Sequence, residues 1–122
     1  MSAPPPPRSY AEFWPVYLRA HSQRGTRALH YFGTIVALGL FLAAALTATW
    51  QWGVAALAIG YGCAWAGHAF VERNRPATFG HPFWSLRGDF QMLLLAASGR
   101  LEAELWMTGC LGPARPAAEG RH

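Results

Sequence analysis

Residues 54–76, VAALAIGYGCAWAGHAFVERNRP, are apolar for eighteen positions and then change character. His68 and Glu72, at i and i+4, share one face if the run is helical. Arg73 and Arg75 follow, Pro76 stops the helix, and His81 lies just beyond in Gly80-His81-Pro82. No charged residue precedes Glu72 until Arg27. Ionisable groups at the end of a segment long enough to cross a bilayer are costly, and such groups mark functional sites.

A second apolar run lies upstream. Residues 28–50, ALHYFGTIVALGLFLAAALTATW, carry no charge and apart from His30 are almost wholly apolar. Each run is long enough for a ~30 Å hydrocarbon core. Gln51-Trp52-Gly53 reads as a minimal turn, so the two form an antiparallel hairpin with spans at about 29–50 and 54–72. Gly60, Gly62, Ala64, Ala66 and Gly67 supply small residues for close helix approach. The composition agrees: 52% of the 122 residues are hydrophobic and 13% charged, against roughly 25% charged in soluble domains. The net charge is +4 and all ten basic residues are arginines. They flank the apolar runs and form no basic stripe interleaved with aromatics, which argues against nucleic acid. Arg19, Arg24 and Arg27 precede the hairpin and Arg73, Arg75 and Arg87 follow it. This places both chain ends on the cytoplasmic side of an integral membrane protein. The absence of lysine fits a GC-rich bacterial genome and hence an inner membrane.

The flanks are shorter. Residues 1–8 read as a disordered Pro-rich tail, and the first 28 residues lack the pattern of a cleavable signal. Residues 9–21, SYAEFWPVYLRAH, read as an amphipathic helix with a capping box at Ser9 and Glu12. Phe13, Tyr17 and His21 share a face, while Tyr10, Trp14 and Tyr17 are aromatics of the headgroup-level type. A turn over 22–27 around Gly25 lets His21 and His30 converge. Counted from Trp50, His30 is twenty residues back, ~30 Å of helix. Counted from Trp52, His68 is sixteen residues on and Glu72 twenty, ~24 and ~30 Å. His30, His68 and Glu72 therefore reach about one level, flanked by His21 and His81. Residues 84–106 are expected to form an interfacial, re-entrant or tilted third spanning helix, with Arg87 and Asp89 near its start. Residues 107–122 read as a disordered tail. Thus the expected fold is an all-α membrane protein with one helical domain over 9–106. Cys63 and Cys110 show no disulfide or CxxC spacing.

Histidines with a carboxylate and open positions suit non-haem Fe(II) and oxygen chemistry. The candidate ligands are His21, His30, His68 and His81. Glu72 and Asp89 are candidates for the catalytic carboxylate, as ligand or as orienting partner. Arg24, Arg27, Arg73 and Arg75 are candidates for binding an acidic substrate, against a plain role as bilayer anchors. There is no HExxH, and the histidine-rich boxes of membrane di-iron hydroxylases are absent. The competing reading is a non-enzymatic lipid-binding or assembly protein with interfacial histidines.

Three stretches carry a resemblance: FWPVYLRAHSQRGTRALHYFGT, GHAFVERNRPATFGHPFWSLRGDFQML and SGRLEAEL. Over about residues 10–106 the chain resembles the family of the yeast protein named for metabolism of phytosphingosine to odd-numbered fatty acids. The shared motifs are a histidine before a basic turn, His-x-x-Gly-Thr, and Gly-His-x-x-x-Glu-x-x-x-Pro-Ala. The resemblance implies a multi-spanning membrane dioxygenase, dependent on Fe(II), that shortens long-chain 2-hydroxy fatty acids by one carbon. It implies His21, His30 and His68 as iron ligands, with His81 beside them. Expected partners are the lipid bilayer, the 2-hydroxy acid and oxygen, with no nucleic acid. A bundle of two or three spans is compatible with a homo-oligomer.

Overall fold

A computed structural model of the chain describes residues 5–76 and 79–109. The expected tails, 1–8 and 107–122, and with them His122, lie largely outside the described residues. Among these residues five α-helices run in order: α1 (Tyr10–Arg19), α2 (Arg24–Thr47), α3 (Trp50–Ala66), α4 (Pro82–Ala97) and α5 (Leu101–Met107). Among the described residues there is no strand. A π-helical segment, Gly67–Glu72, continues α3.

The long hairpin is α2 against α3, made close by small residues. A Cβ on Gly33 would stand 2.9 Å from Cys63 Cβ, and one on Gly67 would stand 3.3 Å from Thr26 Cα. The first leaves no room for a side chain and the second makes one tight, which is how small residues let helices approach closely. Of the small residues expected to pack, Gly62 faces open space. The reversal lies at Ala48–Thr49, three residues earlier than the expected Gln51–Gly53. Ala48 takes the left-handed conformation (φ 53°) and its N–H closes α2 on Ala44 O. Gly53 is then free to enter α3, where it lies against the Phe41 ring. The other end of α2 also differs, because residues 24–27 belong to the helix and the turn is only Ala20–Gln23. Glu72 accounts for this: it accepts hydrogen bonds from Ser22 N (3.2 Å), Ser22 Oγ (2.5 Å) and Gln23 N (3.0 Å). Amides left open at a helix start are thereby satisfied from another element.

Arg24–Thr47 and Trp50–Glu72 are each long and apolar enough to cross a membrane. Only 11% and 17% of their most apolar windows are buried inside the protein. Phe32, Ile35, Leu42, Leu46, Val54 and Leu57 all face outward, an apolar surface of the kind that meets a membrane or a partner.

α1, α4 and α5 form a second layer across the chain-end side of the hairpin. α1 begins as expected, with Ser9 Oγ accepting from Glu12 N at 3.2 Å. The Glu12 carboxylate accepts from Arg8 N at 2.8 Å. Pro15 sits inside the helix. Phe13, Trp14, Tyr17 and Leu18 pack with Met92, Leu101 and Leu105 into the main core. Trp14 and Tyr17 are therefore core residues, not headgroup aromatics. Their polar tips find protein partners, Trp14 Nε1 donating to Glu104 at 2.7 Å and Tyr17 to Asp89. The expected helix over 84–106 is two helices, parted at Ser98–Arg100 by Gly99 in a left-handed conformation (φ 76°). At 16 residues, α4 is short for a span, and it packs against α1 and α2.

Candidate metal centre

Three histidines from three elements meet at the level where α1, α2 and the end of α3 come together. His21 follows α1, His30 lies one turn and a half into α2, and His68 lies in the π-helical segment. All three are buried. His21 Nε2 stands 3.1 Å from His30 Nε2 and 3.1 Å from His68 Nε2. All three ligand atoms lie within 4.8 Å of one another.

The opposite ring nitrogens settle the tautomers. His21 Nδ1 faces Tyr17 O at 2.6 Å and His30 Nδ1 faces Thr26 O at 2.9 Å. A backbone carbonyl only accepts, so each Nδ1 carries the proton. His68 Nδ1 faces Asn74 Oδ1 at 2.6 Å, and Asn74 Nδ2 donates to Ala20 O at 3.0 Å. That second bond orients the amide with its oxygen toward the histidine. The three Nε2 atoms therefore present lone pairs to one another. Neutral lone pairs at 3.1 Å repel, and a shared proton would place a charge in a buried site. Burial and then the neighbouring His30 hold the His21 imidazole well below its ordinary range. A metal ion held by the three Nε2 atoms would resolve the conflict, and their mutual distances, all within 4.8 Å, are those of groups that could share one ion. The Nδ1 bonds supply the orienting outer partners such ligands ordinarily have.

Asp89 of α4 stands at the rim, its Oδ1 3.9 Å from His30 Nε2. Tyr17 O–H donates to the same oxygen. Burial raises the Asp89 carboxyl to about 6, against the lowering effect of the Tyr17 bond. Burial, reinforced by Asp89, raises the Tyr17 phenol well above its usual value, so it remains a donor. Tyr17 also stacks on His21, with ring centroids 4.0 Å apart. Room for that ring comes from Gly88, where a Cβ would lie 3.0 Å from two of its carbons.

The other sequence candidates lie elsewhere. His81 precedes α4, stacked on Trp84 at 5.0 Å and edge-on to Phe13 at 5.4 Å. Those rings hold it apart from the three-histidine cluster. Glu72 points to the turn at Ser22 and Gln23, joining the histidine-bearing elements without facing the Nε2 atoms. Arg27 donates to His21 O (2.9 Å) and Ser22 O (2.8 Å), fixing the same turn. Arg75 lies over the Phe79 ring at 5.1 Å. Arg24 and Arg73 are exposed, and Arg24 borders a cavity with Tyr31 and Glu102. Two contributors escape sequence reasoning. Asn74 is one, although a polar residue between two arginines and before Pro76 is its only signal. Tyr17 is the other, its aromatic character pointing to the interface while its i+4 relation to His21 points inward.

No curated protein and no solved structure matches the chain. A family model described as 2-hydroxy-palmitic acid dioxygenase Mpo1-like matches residues 7–101, which include every residue of the three-histidine centre and its partners. The chain belongs to that family, the one its sequence motifs resemble.

Proposed function

We propose that the chain is a membrane dioxygenase that holds Fe(II) through His21, His30 and His68 and shortens a long-chain 2-hydroxy fatty acid by one carbon. The observation carrying this reading is the set of three inward Nε2 lone pairs, each backed by an Nδ1–H bond. Three neutral imidazoles leave positions open on an iron, which suits oxygen chemistry. α2 and α3 cross the bilayer, and both chain ends lie on the cytoplasmic face. The centre then sits at the cytoplasmic interface, where the head of an amphiphile reaches it while the tail stays among the helices.

The proposed reaction balances with one oxygen molecule. The C1–C2 bond breaks, C1 leaves as carbon dioxide, C2 becomes the new carboxyl carbon, and one water is released. Bound iron supplies activation of oxygen and a Lewis-acid anchor for the hydroxy acid. Asp89, at the rim of the centre, accepts the hydrogen bond of the substrate hydroxyl. Tyr17 holds that carboxylate in place. Phe13, Tyr17 and Leu18, all nearly inaccessible, close the α1 side against water. Arg24 and Arg73 remain free to attract the substrate carboxylate from the interface. Glu72 orients the turn that carries His21.

Metal content and turnover test this together. Purified chain reconstituted anaerobically with Fe(II) is expected to carry iron, and His68→Ala to lose both iron and turnover by well over ~100-fold, beyond the effect of removing an outer partner. Membranes given 2-hydroxypalmitic acid and oxygen should yield the acid one carbon shorter. Equal iron in wild type and variant sinks the site. Iron without shortened acid favours a non-enzymatic lipid-binding protein.

A further inference from the structure

An apolar groove of about 260 Å³ runs between α2, α3 and α4. On its α2 wall lie Thr34, Ala37 and Phe41, on its α3 wall Ala56 and Gly60, and Asp89 stands on α4. Thr34, Ala37 and Phe41 continue from His30 at helical spacing, four, seven and eleven residues on, so they descend from the metal centre along one face. That descent is ~16 Å of helix. Thr34 and Asp89, the polar residues of its lining besides Tyr61, lie toward the histidine end, and Asp89 borders both the groove and the centre. Away from that end the walls are alkyl and aromatic. Ala37, Ala56 and Gly60 keep the middle open. A Cβ on Gly60 would meet Ala37 Cβ at 3.5 Å, so α2 and α3 touch at these two positions and their small side chains form the floor of the groove. Phe41 stands at the far end, its ring 3.8 Å from where a Gly53 side chain would begin.

We infer that this groove is the acyl-chain subsite, that Ala37 and Gly60 set its depth, and that Phe41 sets the longest chain it accepts. The inference rests on the proposed reaction for the identity of the polar head. The occupant is a single-chain acid, for two reasons. The groove joins the metal centre end to end, so one molecule fills both. Asp89 at the junction accepts hydrogen bonds and repels a second carboxylate, so it tolerates the hydroxyl-bearing carbon and turns the acid's own carboxylate toward the histidines. A phospholipid would have to bring a phosphate and a second chain past the same residue.

Two substitutions move chain-length preference in opposite directions. Ala37→Leu blocks the middle and is expected to lower turnover of 2-hydroxypalmitic acid relative to its shorter homologues by ~10-fold or more, the discrimination a few methylene groups give. Phe41→Ala opens the end and shifts preference toward homologues longer than 2-hydroxypalmitic acid. Gly60→Ala gives the effect of Ala37→Leu in smaller measure and meets only ordinary contacts, which covers the case in which the leucine does not fold. Metal content should be unchanged in all three. A readout free of catalysis is photolabelling in phosphatidylcholine vesicles with 2-hydroxypalmitic acid carrying a diazirine at its methyl end. Label on Phe41 and Ala56, competed by unlabelled acid and lost in Ala37→Leu, supports the subsite. Label confined to outward residues such as Leu46 and Val54, or chain-length profiles identical to wild type in variants that retain metal, overturns it. Wild type that labels in the groove yet neither binds iron nor shortens the acid keeps the subsite and overturns the reaction.

Discussion

At the Ala48–Thr49 end of the α2–α3 hairpin, Leu46, Trp50 and Trp52 are exposed. The side-chain hydrogen bonds there are local, Thr47 Oγ1 to Ala43 O and Thr49 Oγ1 to Thr47 O. Some twenty residues along the same two helices, His30 and His68 are buried and the bonds join distant parts of the chain. Glu72 reaches Ser22, Asn74 reaches Ala20, and Tyr17 reaches Asp89. One end satisfies its own backbone and leaves its side chains to an apolar surrounding. The other closes over itself, because polar groups in a dry site need fixed partners. Stability at the hairpin tip is therefore expected to depend on lipid, and stability at the histidine end on metal and on the polar contacts around it.

The largest expected effect tests whether the histidine end carries an electrostatic cost that metal offsets. The Asp89 carboxyl has an ordinary value of 3.8 and is raised to about 6 in the folded chain. Between those values the folded state binds more protons, so metal-free protein loses stability as pH rises through that window. Asp89→Asn keeps an acceptor for Tyr17 and removes the charge. It should stabilise metal-free protein by ~3 kcal/mol at pH 8, about two units at ~1.4 kcal/mol each, with the gain gone below pH ~4. Turnover should fall in the same variant. Denaturation in micelles at both pH values measures it, and an equal gain at both would show that burial of the charge is not the cause. Next is Asn74→Ala, which frees the His68 ring and should weaken iron binding ~10- to 100-fold, as loss of an outer partner does. Iron titration of the two proteins reads this directly. Glu72→Ala strips three hydrogen bonds from the Ser22–Gln23 turn and should lower the stability of metal-loaded protein by ~1–2 kcal/mol. Unchanged thermal unfolding would mean that Arg27 alone holds the turn.

The same division explains what can be read from sequence. His30 and His68 are the only ionisable side chains other than tyrosine and cysteine between Arg27 and Glu72. Counting helix from any turn near residue 50 brings them to one level, and moving the turn to Ala48–Thr49 shifts both counts without separating them. His21 joins because the chain must reverse between α1 and the first long helix, at Ala20–Gln23. The limits are tertiary. An alanine gives no local sign that it will take a left-handed conformation, so Gln51–Gly53 looks the better turn. The burial of Trp14 and Tyr17 depends on α4 and α5 folding back over α1, and no periodicity within α1 distinguishes a bilayer surface from a protein one. His81 looks equivalent to the other histidines until Phe13 and Trp84 are seen on either side of its ring. Asn74 has a short polar side chain whose role exists only through Ala20 and His68, fifty-four and six residues away.

The smallest expected effect sets the two ends against each other. Ala48 and Arg73 are the two non-glycine residues with positive φ among those described, at 53° and 62°. Each ends a helix, Ala48 the first long helix and Arg73 the π-helical segment that carries His68. A left-handed residue with a Cβ costs roughly 1–2 kcal/mol, and glycine returns roughly 0.5–1 kcal/mol of that as unfolded-chain entropy. Ala48→Gly and Arg73→Gly should therefore each stabilise the fold by up to ~1 kcal/mol. Iron binding should separate them. At the hairpin tip the substitution lies some twenty residues from either histidine of the hairpin, and affinity should stay at the wild-type value. At Arg73 the neighbour is Asn74, whose N–H bonds His68 O at 2.9 Å and whose amide oxygen holds the His68 ring. A glycine there lets the Asn74 backbone wander, and affinity should drop several-fold although the protein unfolds at higher temperature. If iron binds both variants equally well, Arg73 is only a helix stop, as Ala48 is. If it does not, the strain at Arg73 is part of how the centre is held.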